Sequence, residues 1–260
     1  MKKLFVLLAL LMLAAPTFAA ETRATGSIDY TDFSNGYGDR RVASLETVTK
    51  FDTTSLVLSG SHGERNVSQG ESFDGQRISG QLYVDWSDTF YTRTLVGLGT
   101  NSPVFARRDF AQDFNYKLNP QTVVLLGARY TDYFGDVNVK AYSAGVTQYF
   151  GDRFNGTYRF TRYDSDRTGS NNGHLVMLRL RDSEGQGTTQ MWLGYADTLY
   201  AADYLPELIG EGSQRSVVLR RVQPLGTSAS LNLVLGKTWY ETPVVDFQGV
   251  QVGVGVTLGW

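Results

Sequence analysis

Several features that proteins commonly use are scarce or missing in this chain of 260 residues. It has no cysteine, which excludes a disulfide framework and a lipid anchor on an N-terminal cysteine. It has only two histidines, so few side chains could act as an acid or base near neutral pH. Its 6 prolines are too few for a disordered linker. No stretch after Ala20 stays apolar for about 18 residues, which excludes a transmembrane helix there.

The first twenty residues differ from the rest of the chain. Two lysines precede an apolar run over residues 4–15, which is followed by a site at 17–19 with small residues at its first and third positions. This is the pattern of a cleaved secretory signal peptide, since a retained membrane anchor would need about 20 apolar residues. We therefore predict a signal peptide over residues 1–19, export through the Sec pathway, and one mature domain over residues 20–260.

Alternation is the main pattern in the mature chain. It ends in VQVGVGVTLGW (250–260), where even positions are apolar or aromatic and odd positions are small or polar. That period of two is typical of a β-strand with one apolar face. Similar segments of about 10 residues recur from Thr22 onward, and 28 glycines with 13% aromatic residues suit many short strands. Only a closed barrel could cross a membrane with such strands, because it leaves no edge unpaired.

The connections between these segments predict the number of strands. Short turns are predicted at 51–54, 86–89, 118–121, 150–153, 183–186 and 223–226. Longer polar segments lie at 31–40, 64–75, 100–109, 132–138, 164–172, 197–213 and 241–246. Their alternation predicts a single all-β antiparallel transmembrane barrel of 14 strands, with both termini in the periplasm. A merged pair of strands would give 12, and a soluble β-sandwich is the competing fold.

Aromatic residues recur where the predicted strands end. We expect them to form two belts at the membrane interfaces, because amphipathic rings favour the boundary between acyl chains and headgroups. The residues assigned to the belts are Tyr30, Tyr130, Phe160 and Trp239 at one rim and Trp86, Phe90, Phe154 and Trp260 at the other. The last strand is also predicted to direct assembly of the barrel through Val252, Val254, Val256, Leu258 and Trp260.

Charged residues within the strands alternate with the apolar ones, so they fall on the opposite face. An arginine facing lipid at the midplane would cost about 2–4 kcal/mol, which makes the lumen their expected location. The residues predicted to line the lumen are Arg93, Arg129, Arg159, Arg179, Arg181, Lys117, Asp85, Asp113 and Glu46. This set predicts an electropositive wall in which arginines pair with Asp85 and Asp113 across strands.

Five stretches carry a family resemblance: NSPVFARRDFAQDFN (101–115), RYTDYFGDVNV (129–139), TRYDS (161–165), RRVQPL (220–225) and GKTWYETP (236–243). Through them the mature chain resembles the YaiO-type outer-membrane β-barrel family of Gram-negative bacteria. The resemblance implies a multi-pass barrel in the cell outer membrane with no established enzymatic activity. Most such barrels end in phenylalanine, whereas this chain ends in Trp260. We expect its partners to be outer-membrane lipids and lipopolysaccharide, the barrel assembly machinery and periplasmic chaperones, with no nucleic acid.

Three functions remain open at this point. The first is a passive pore or export channel for small or anionic solutes, saccharides among them. The second is a structural or adhesive surface barrel with a plugged lumen. The third is a hydrolase that uses His62 or His174 at the extracellular rim, with Ser61, Asp164, Asp166 and Asn171 as neighbours. These residues match no lipase or protease pattern, so we expect no catalysis.

The loops offer two weaker candidate sites, and we expect neither a cofactor nor a dedicated metal centre. Asp132 and Asp136 flank Gly135 and could hold calcium weakly, or simply be solvated. In RRDF (107–110), an arginine could bind a lipopolysaccharide phosphate, because a guanidinium forks phosphate oxygens. Alternatively, Arg107 or Arg108 could fold into the lumen against Asp109 or Asp113.

Overall fold

The computed structural model describes residues 21–67, 70–167, 169–183, 187–197 and 212–260. The predicted signal peptide lies outside these ranges, within which no helix is long and apolar enough to cross a membrane. The strands are β1 (Glu21–Phe33), β2 (Asp39–Lys50), β3 (Thr54–Asn66), β4 (Ser72–Asp85), β5 (Phe90–Gly99), β6 (Arg108–Asn119), β7 (Thr122–Tyr133), β8 (Val137–Phe150), β9 (Phe154–Ser165), β10 (Gly169–Arg181), β11 (Thr188–Ala196), β12 (Ser213–Pro224), β13 (Ala229–Glu241) and β14 (Phe247–Gly259).

The sheet closes on itself. Each strand pairs antiparallel with its neighbours in the sequence, and β1 pairs with β14 in a register that sets Arg23 opposite Gly259. At the seam, the Trp260 N–H donates to the Thr22 carbonyl (3.0 Å) and the Thr22 N–H donates to the Trp260 carbonyl (3.1 Å). The predicted all-β barrel of 14 strands is confirmed, and closure leaves no unpaired sheet edge to face lipid.

Short and long connections alternate as predicted, but the long ones are shorter than the sequence indicated. The predicted loop at 132–138 shrinks to residues 134–136, because Tyr133 still pairs with Val137 across the sheet. Gly135 and Asp136, with φ of 74° and 58°, close this tight turn in the left-handed region. Polar residues continue these strands because an apolar face is needed only along the lipid band. Most of the predicted connections at 183–186 and 197–213 lies outside the described residues.

The outer face of the barrel carries the apolar side chains. In β14, Val252, Val254 and Val256 are 45–54% exposed, whereas Gly253 and Gly255 between them are buried. The other strands also expose large apolar side chains, with Leu126 of β7 among them. So much exposed apolar surface would be an aggregation hazard in a soluble protein, but around a closed barrel it forms the lipid-contacting band.

Inside the barrel, two small clusters take the place of a large core. One cluster consists of Phe33, Tyr240 and Phe247, packed with Tyr37 and Val67. The other consists of Val137 and Val139, packed with Tyr133 and Tyr163. Both clusters lie where strands enter the long connections, so they narrow that end of the lumen.

Candidate functional site: the lumen wall

Five of the residues predicted for the lumen surround two cavities on the inner face. Arg93, Arg129 and Arg159 line the first cavity, and Glu46 lines the second. Asp113 lies buried beside the first cavity, where it pairs with two of these arginines. The structure therefore assembles four of the predicted residues into one charged cluster and leaves Glu46 on another part of the wall.

The other four predicted residues lie on the same inner face but apart from that cluster. Leu175 lines the first cavity, and Arg179 and Arg181 lie on the same face of β10 because they follow it at even spacings. The same alternation places Asp85 and Lys117 on the inner face near the short turns. Among the described residues, none of the four has an ion-pair partner. The predicted pairing of Asp85 with an arginine is therefore wrong, and Asp109 is the second carboxylate that arginines share.

We use the name arginine ladder for Arg77, Arg93, Arg129 and Arg159 together with Asp109 and Asp113. In its upper rung, which is the one nearer the long connections, Asp109 accepts hydrogen bonds from Nη2 of Arg77 (3.0 Å) and Nε of Arg129 (2.8 Å). In its lower rung, Asp113 lies 2.7 Å from Nη2 of Arg93 and accepts a hydrogen bond of 2.8 Å from Nη2 of Arg159. The two carboxylates are four residues apart on one face of β6, which separates the rungs by about 13 Å along the strand.

Glycines in the wall give the ladder its room. A Cβ atom on Gly97 would lie 2.6 Å from Nη2 of Arg77, and one on Gly127 would lie 2.8 Å from Nη2 of Arg159. Because these positions have no side chain, the guanidinium groups can lie close to the backbone of the wall. The arginines therefore reach carboxylates on other strands while leaving open space beside them.

The carboxylates of the ladder are hidden and its guanidinium groups are not. The side chains of Asp109 and Asp113 are only 1% and 5% exposed, whereas that of Arg129 is 51% exposed. Four cations share two anions, so the ladder keeps an excess of positive charge. A solute in the lumen would meet guanidinium groups first, and burial strengthens the hold of each arginine on its carboxylate.

The whole inner face has the same bias. Counted by strand alternation, it carries twelve basic side chains against six acidic ones. The basic residues are Arg23, Arg40, Lys50, Arg65, Arg77, Arg93, Lys117, Arg129, Arg159, Arg179, Arg181 and Arg220. The acidic residues are Glu21, Asp29, Glu46, Asp85, Asp109 and Asp113. The wall is therefore basic although the chain as a whole has a net charge of −2.

The second cavity, of about 320 Å³, has a milder lining. Hydroxyl groups face each other across its strands, as in the pair formed by Ser44 and Ser61 (2.8 Å). Asp29, Glu46 and Arg220 also line it, so it has no excess of basic groups. Of the two cavities, the one beside the arginine ladder is therefore the stronger candidate for recognising charge.

The connection between β5 and β6, residues 100–107, folds into the lumen, and we call it the inward loop. Val104 is 5% exposed and packs where β3 and β4 carry Gly63 and Gly75; a Cβ on Gly63 would lie 2.7 Å from Cγ1 of Val104. Nη2 of Arg40 donates to the Val104 carbonyl (3.3 Å). The missing side chains of β3 and β4 thus make space for a loop that narrows the lumen.

Arg107 ties the end of the inward loop to the barrel wall. Its Nε and Nη2 donate to the two carboxylate oxygens of Asp132 (2.9 and 2.8 Å), and Nη2 also donates to Asp136 (3.1 Å). The hydrogen bond to Asp132 raises the pKa of Arg107 above its ordinary value. The predicted lumen partners, Asp109 and Asp113, are therefore wrong for this arginine, because the ladder already holds both.

The same contact argues against the calcium site considered for this turn. Asp132 and Asp136, the residues considered as weak calcium ligands, both hold the guanidinium group of Arg107. Arg108 instead faces outward and is 69% exposed, with Asp132 at 4.0 Å. Binding of a lipopolysaccharide phosphate by Arg108 stays a prediction.

The residues considered for hydrolysis do not come together. Ser61 and His62 are neighbours on β3, so their side chains point to opposite faces. The Ser61 hydroxyl bonds to Ser44 in the lumen, whereas His62 lies outside, 3.9 Å from Glu64. On the same outer face, Nδ1 of His174 is 2.8 Å from the Tyr158 hydroxyl. Asp164 lies on β9, Asp166 follows β9, and Asn171 lies on β10. Among the described residues, no serine is hydrogen-bonded to a histidine.

The aromatic residues assigned to the belts lie on the outer face. Tyr30, Tyr130 and Trp239 are exposed near the long connections, and Phe160 packs there against His174 (5.4 Å between ring centroids). Trp86 and Trp260 are 65% and 59% exposed at the end with the short turns. Phe90 and Phe154 begin strands at that same end, where they pack against Phe114 and Phe150. The two groups thus occupy opposite rims of the barrel.

Sequence reasoning missed Arg77 and Trp192 on the inner face, and it considered Asp109 only as a lumen partner for Arg107 or Arg108. Counting back from Asp85 in steps of two places Arg77 on the inner face. Asp109 joins the inner face of β6 if that strand begins one residue earlier than the predicted loop allowed. Trp192 alternates with Leu193, which is 37% exposed on the outside, so the same parity rule places the indole inside.

Comparison with known proteins agrees with this architecture. The CymD monoaromatic hydrocarbon channel superposes with a TM-score of 0.61 at 9% identity, over 96% of this chain and 92% of that one. The translocator domain of the autotransporter NalP from Neisseria meningitidis gives 0.52 at 10% identity, over 99% and 95% of the two chains. OprD from Pseudomonas aeruginosa gives 0.51 at 9% identity, over 95% and 98%. At such low identity, these similarities show a shared outer-membrane barrel fold.

The sequence itself matches the family described as the YaiO membrane beta barrel domain over residues 21–200. Three of the stretches that carried the resemblance, at 101–115, 129–139 and 161–165, lie within the matched residues. The matched residues also include the whole arginine ladder and the whole inward loop. Because the match covers more than half of a chain that folds as a closed barrel with an apolar outer band, this protein belongs to the YaiO family of outer-membrane β-barrels.

Proposed function

We propose that the barrel is a passive pore that favours small anionic solutes, acidic saccharides among them. The observation that carries the proposal is the arginine ladder, in which two buried carboxylates each hold two guanidinium groups that remain partly exposed to the lumen. Rings of fixed charge set the ion preference of such pores, and here the groups within reach of a solute are cationic. The cavity beside the ladder provides space for a solute next to them.

The structural neighbours support a channel as the class of function. One is a monoaromatic hydrocarbon channel with nearly the same extent as this chain. A lumen that keeps two cavities, each lined in part by charged side chains, also favours a conducting path over a filled interior. Barrels of eight strands are filled by side chains and those of sixteen hold a water channel, so fourteen strands give room for a narrow path.

The test is the ion selectivity of the purified protein in a planar lipid bilayer. In a potassium chloride gradient, we expect a reversal potential of the sign that chloride preference produces. The variant Arg179→Glu with Arg181→Glu should shift this potential toward cation preference, because both residues lie on the inner face without an ion-pair partner among the described residues. The control, Arg108→Glu with Arg162→Glu, makes the same change in net charge on the outer face and should leave the potential unchanged.

A preference of the wild-type pore for cations would contradict the proposal, as would a lumen variant with unchanged selectivity.

A second candidate, a structural barrel with a closed lumen, is favoured by the inward loop and by the cluster of Phe33, Tyr240 and Phe247. Folded protein that inserts into the bilayer without any conductance would support this second candidate.

A further inference from the structure

The cavity beside the arginine ladder has the size and lining of a small-molecule site. Its volume is about 280 Å³, close to the lower limit of roughly 300 Å³ for sites that hold organic ligands. Arg93 and Arg159 line one side, and Leu175 and Ala196 line another. A small organic anion would fill this space, with its charged end toward the arginines and its remainder toward the aliphatic side chains.

Next to Leu175, the inner face becomes apolar in the direction of the short turns. Met177, Trp192 and Val218 lie side by side across β10, β11 and β12. We call these three residues and Leu175 the apolar row. The interior of a membrane barrel is otherwise polar, as the serine-lined second cavity shows. The apolar row lies between the first cavity and the short turns, apart from the two apolar clusters near the long connections.

Trp192 differs from the other three tryptophans of the chain. Trp86, Trp239 and Trp260 are exposed on the outer face, at the rims where lipid headgroups favour an indole ring. Trp192 faces the lumen, where no lipid reaches it. A large flat apolar surface beside a cluster of cations suits a solute that has both an apolar ring and a negative charge.

We propose that the cavity and the apolar row together bind a small carboxylate with an apolar, ring-shaped body. The guanidinium groups of Arg93 and Arg159 hold the carboxylate, whose two oxygens match their fork geometry. The ring lies against the apolar row, with Trp192 as its main contact. The inference rests on the proposed function, because it takes the same lumen as the path of the solute. It adds that the uncharged part of the preferred solute is an apolar ring.

The test is isothermal titration of the detergent-solubilised barrel with three carboxylates. Benzoate has an apolar ring, acetate has none, and glucuronate has a ring covered with hydroxyl groups. We expect benzoate to bind about tenfold more tightly than acetate, because burial of the ring adds to a shared carboxylate contact. Glucuronate should bind no better than acetate. Binding in detergent requires no conduction, so a barrel that binds benzoate without conducting contradicts only the proposed function.

Variants on β11 separate a binding role for Trp192 from a structural one. Trp192→Ala should reduce the ratio of benzoate to acetate affinity to about one, and Trp192→Phe should keep most of it because a ring remains. Leu193→Ala, the next residue on the outer face, should leave the ratio unchanged. Heat-modifiable migration on gels establishes that each variant is folded. Equal binding of benzoate and acetate, stronger binding of glucuronate, or an unchanged ratio in folded Trp192→Ala would overturn the proposal.

Discussion

At the scale of single residues, glycines on the inner face leave the space that the charged side chains of the lumen occupy. Gly97 and Gly127 stand where a larger residue would collide with the guanidinium groups of Arg77 and Arg159. Buried carboxylates such as Asp109 tolerate their position only while charged partners hold them. The positions of the guanidinium groups thus depend on these glycines as well as on the carboxylates that hold them.

The first prediction concerns Gly127→Ala. The added methyl group would displace Asp113 or Arg159, so the free energy of unfolding should fall by about 1–3 kcal/mol. Urea unfolding of the barrel in lipid vesicles measures this change. Gly26→Ala is the matched control, because a Cβ at Gly26 meets no atom within 4 Å, and it should change stability by less than about 0.5 kcal/mol. Equal effects of the two substitutions would show that the ladder does not need this glycine.

At the scale of elements, the inward loop is a separate part of the molecule attached at identifiable points. Val104 fills the space above Gly63, and Arg107 holds the loop's end to Asp132 and Asp136. The loop is short, so its position depends on these contacts more than on any secondary structure of its own.

The second prediction is that Arg107→Gln loosens the inward loop and widens the path. Single-channel conductance should rise and become noisier, because Asp132 loses the guanidinium that fixes the end of the loop in its inward position. Arg108→Gln is the control, since Arg108 is 69% exposed and lies 4.0 Å from Asp132. If both variants conduct like the wild type, the loop does not limit the current.

The third prediction concerns β14 and its terminal residue. Trp260→Ala should lower the fraction of protein that reaches a heat-modifiable folded state in outer membranes, because it removes the exposed indole that ends the strand predicted to direct assembly. The seam hydrogen bonds to Thr22 use the backbone of residue 260, so they are kept in this variant. Trp86→Ala removes a tryptophan at the same rim without touching the seam, so it separates assembly from membrane anchoring. Wild-type yields of folded Trp260→Ala would exclude this role.

At the scale of the whole molecule, an even number of strands returns both ends of the barrel to one rim. The hydrogen bonds between Thr22 and Trp260 hold those ends together beside the short turns. The predicted periplasmic location of the termini would therefore place every long connection, the inward loop included, on the cell surface.

The fourth prediction tests that orientation on intact cells. An epitope tag inserted after Gly169, at a long connection, should be labelled by antibody, and one inserted after Asn119, at a short turn, should not. Labelling only after Asn119 would reverse the orientation. Labelling at both sites would contradict a barrel that separates the two rims.

Local patterns in the sequence were sufficient to predict the barrel. Alternation along a strand depends only on neighbouring residues, so the outward face of Val252, Val254 and Val256 could be read without any contact information. Turn chemistry is equally local, which is why the strand count was right while the long connections were drawn several residues too long. The inward parity of Arg93, Arg129 and Arg159 followed from the same rule.

Only the tertiary structure decided which of these charges meet. Arg77 on β4 reaches Asp109 on β6 across the intervening β5, which the register allows because Gly97 stands between them. No spacing in the sequence reports such a contact, and the prediction named Asp85 and Asp113 as the partners of the wall arginines. The direction of the inward loop likewise depends on the space left by Gly63 and Gly75 on strands far from it in sequence. Parity along a strand is a local property of the backbone, whereas partner choice and loop direction depend on the space that closure creates between distant strands.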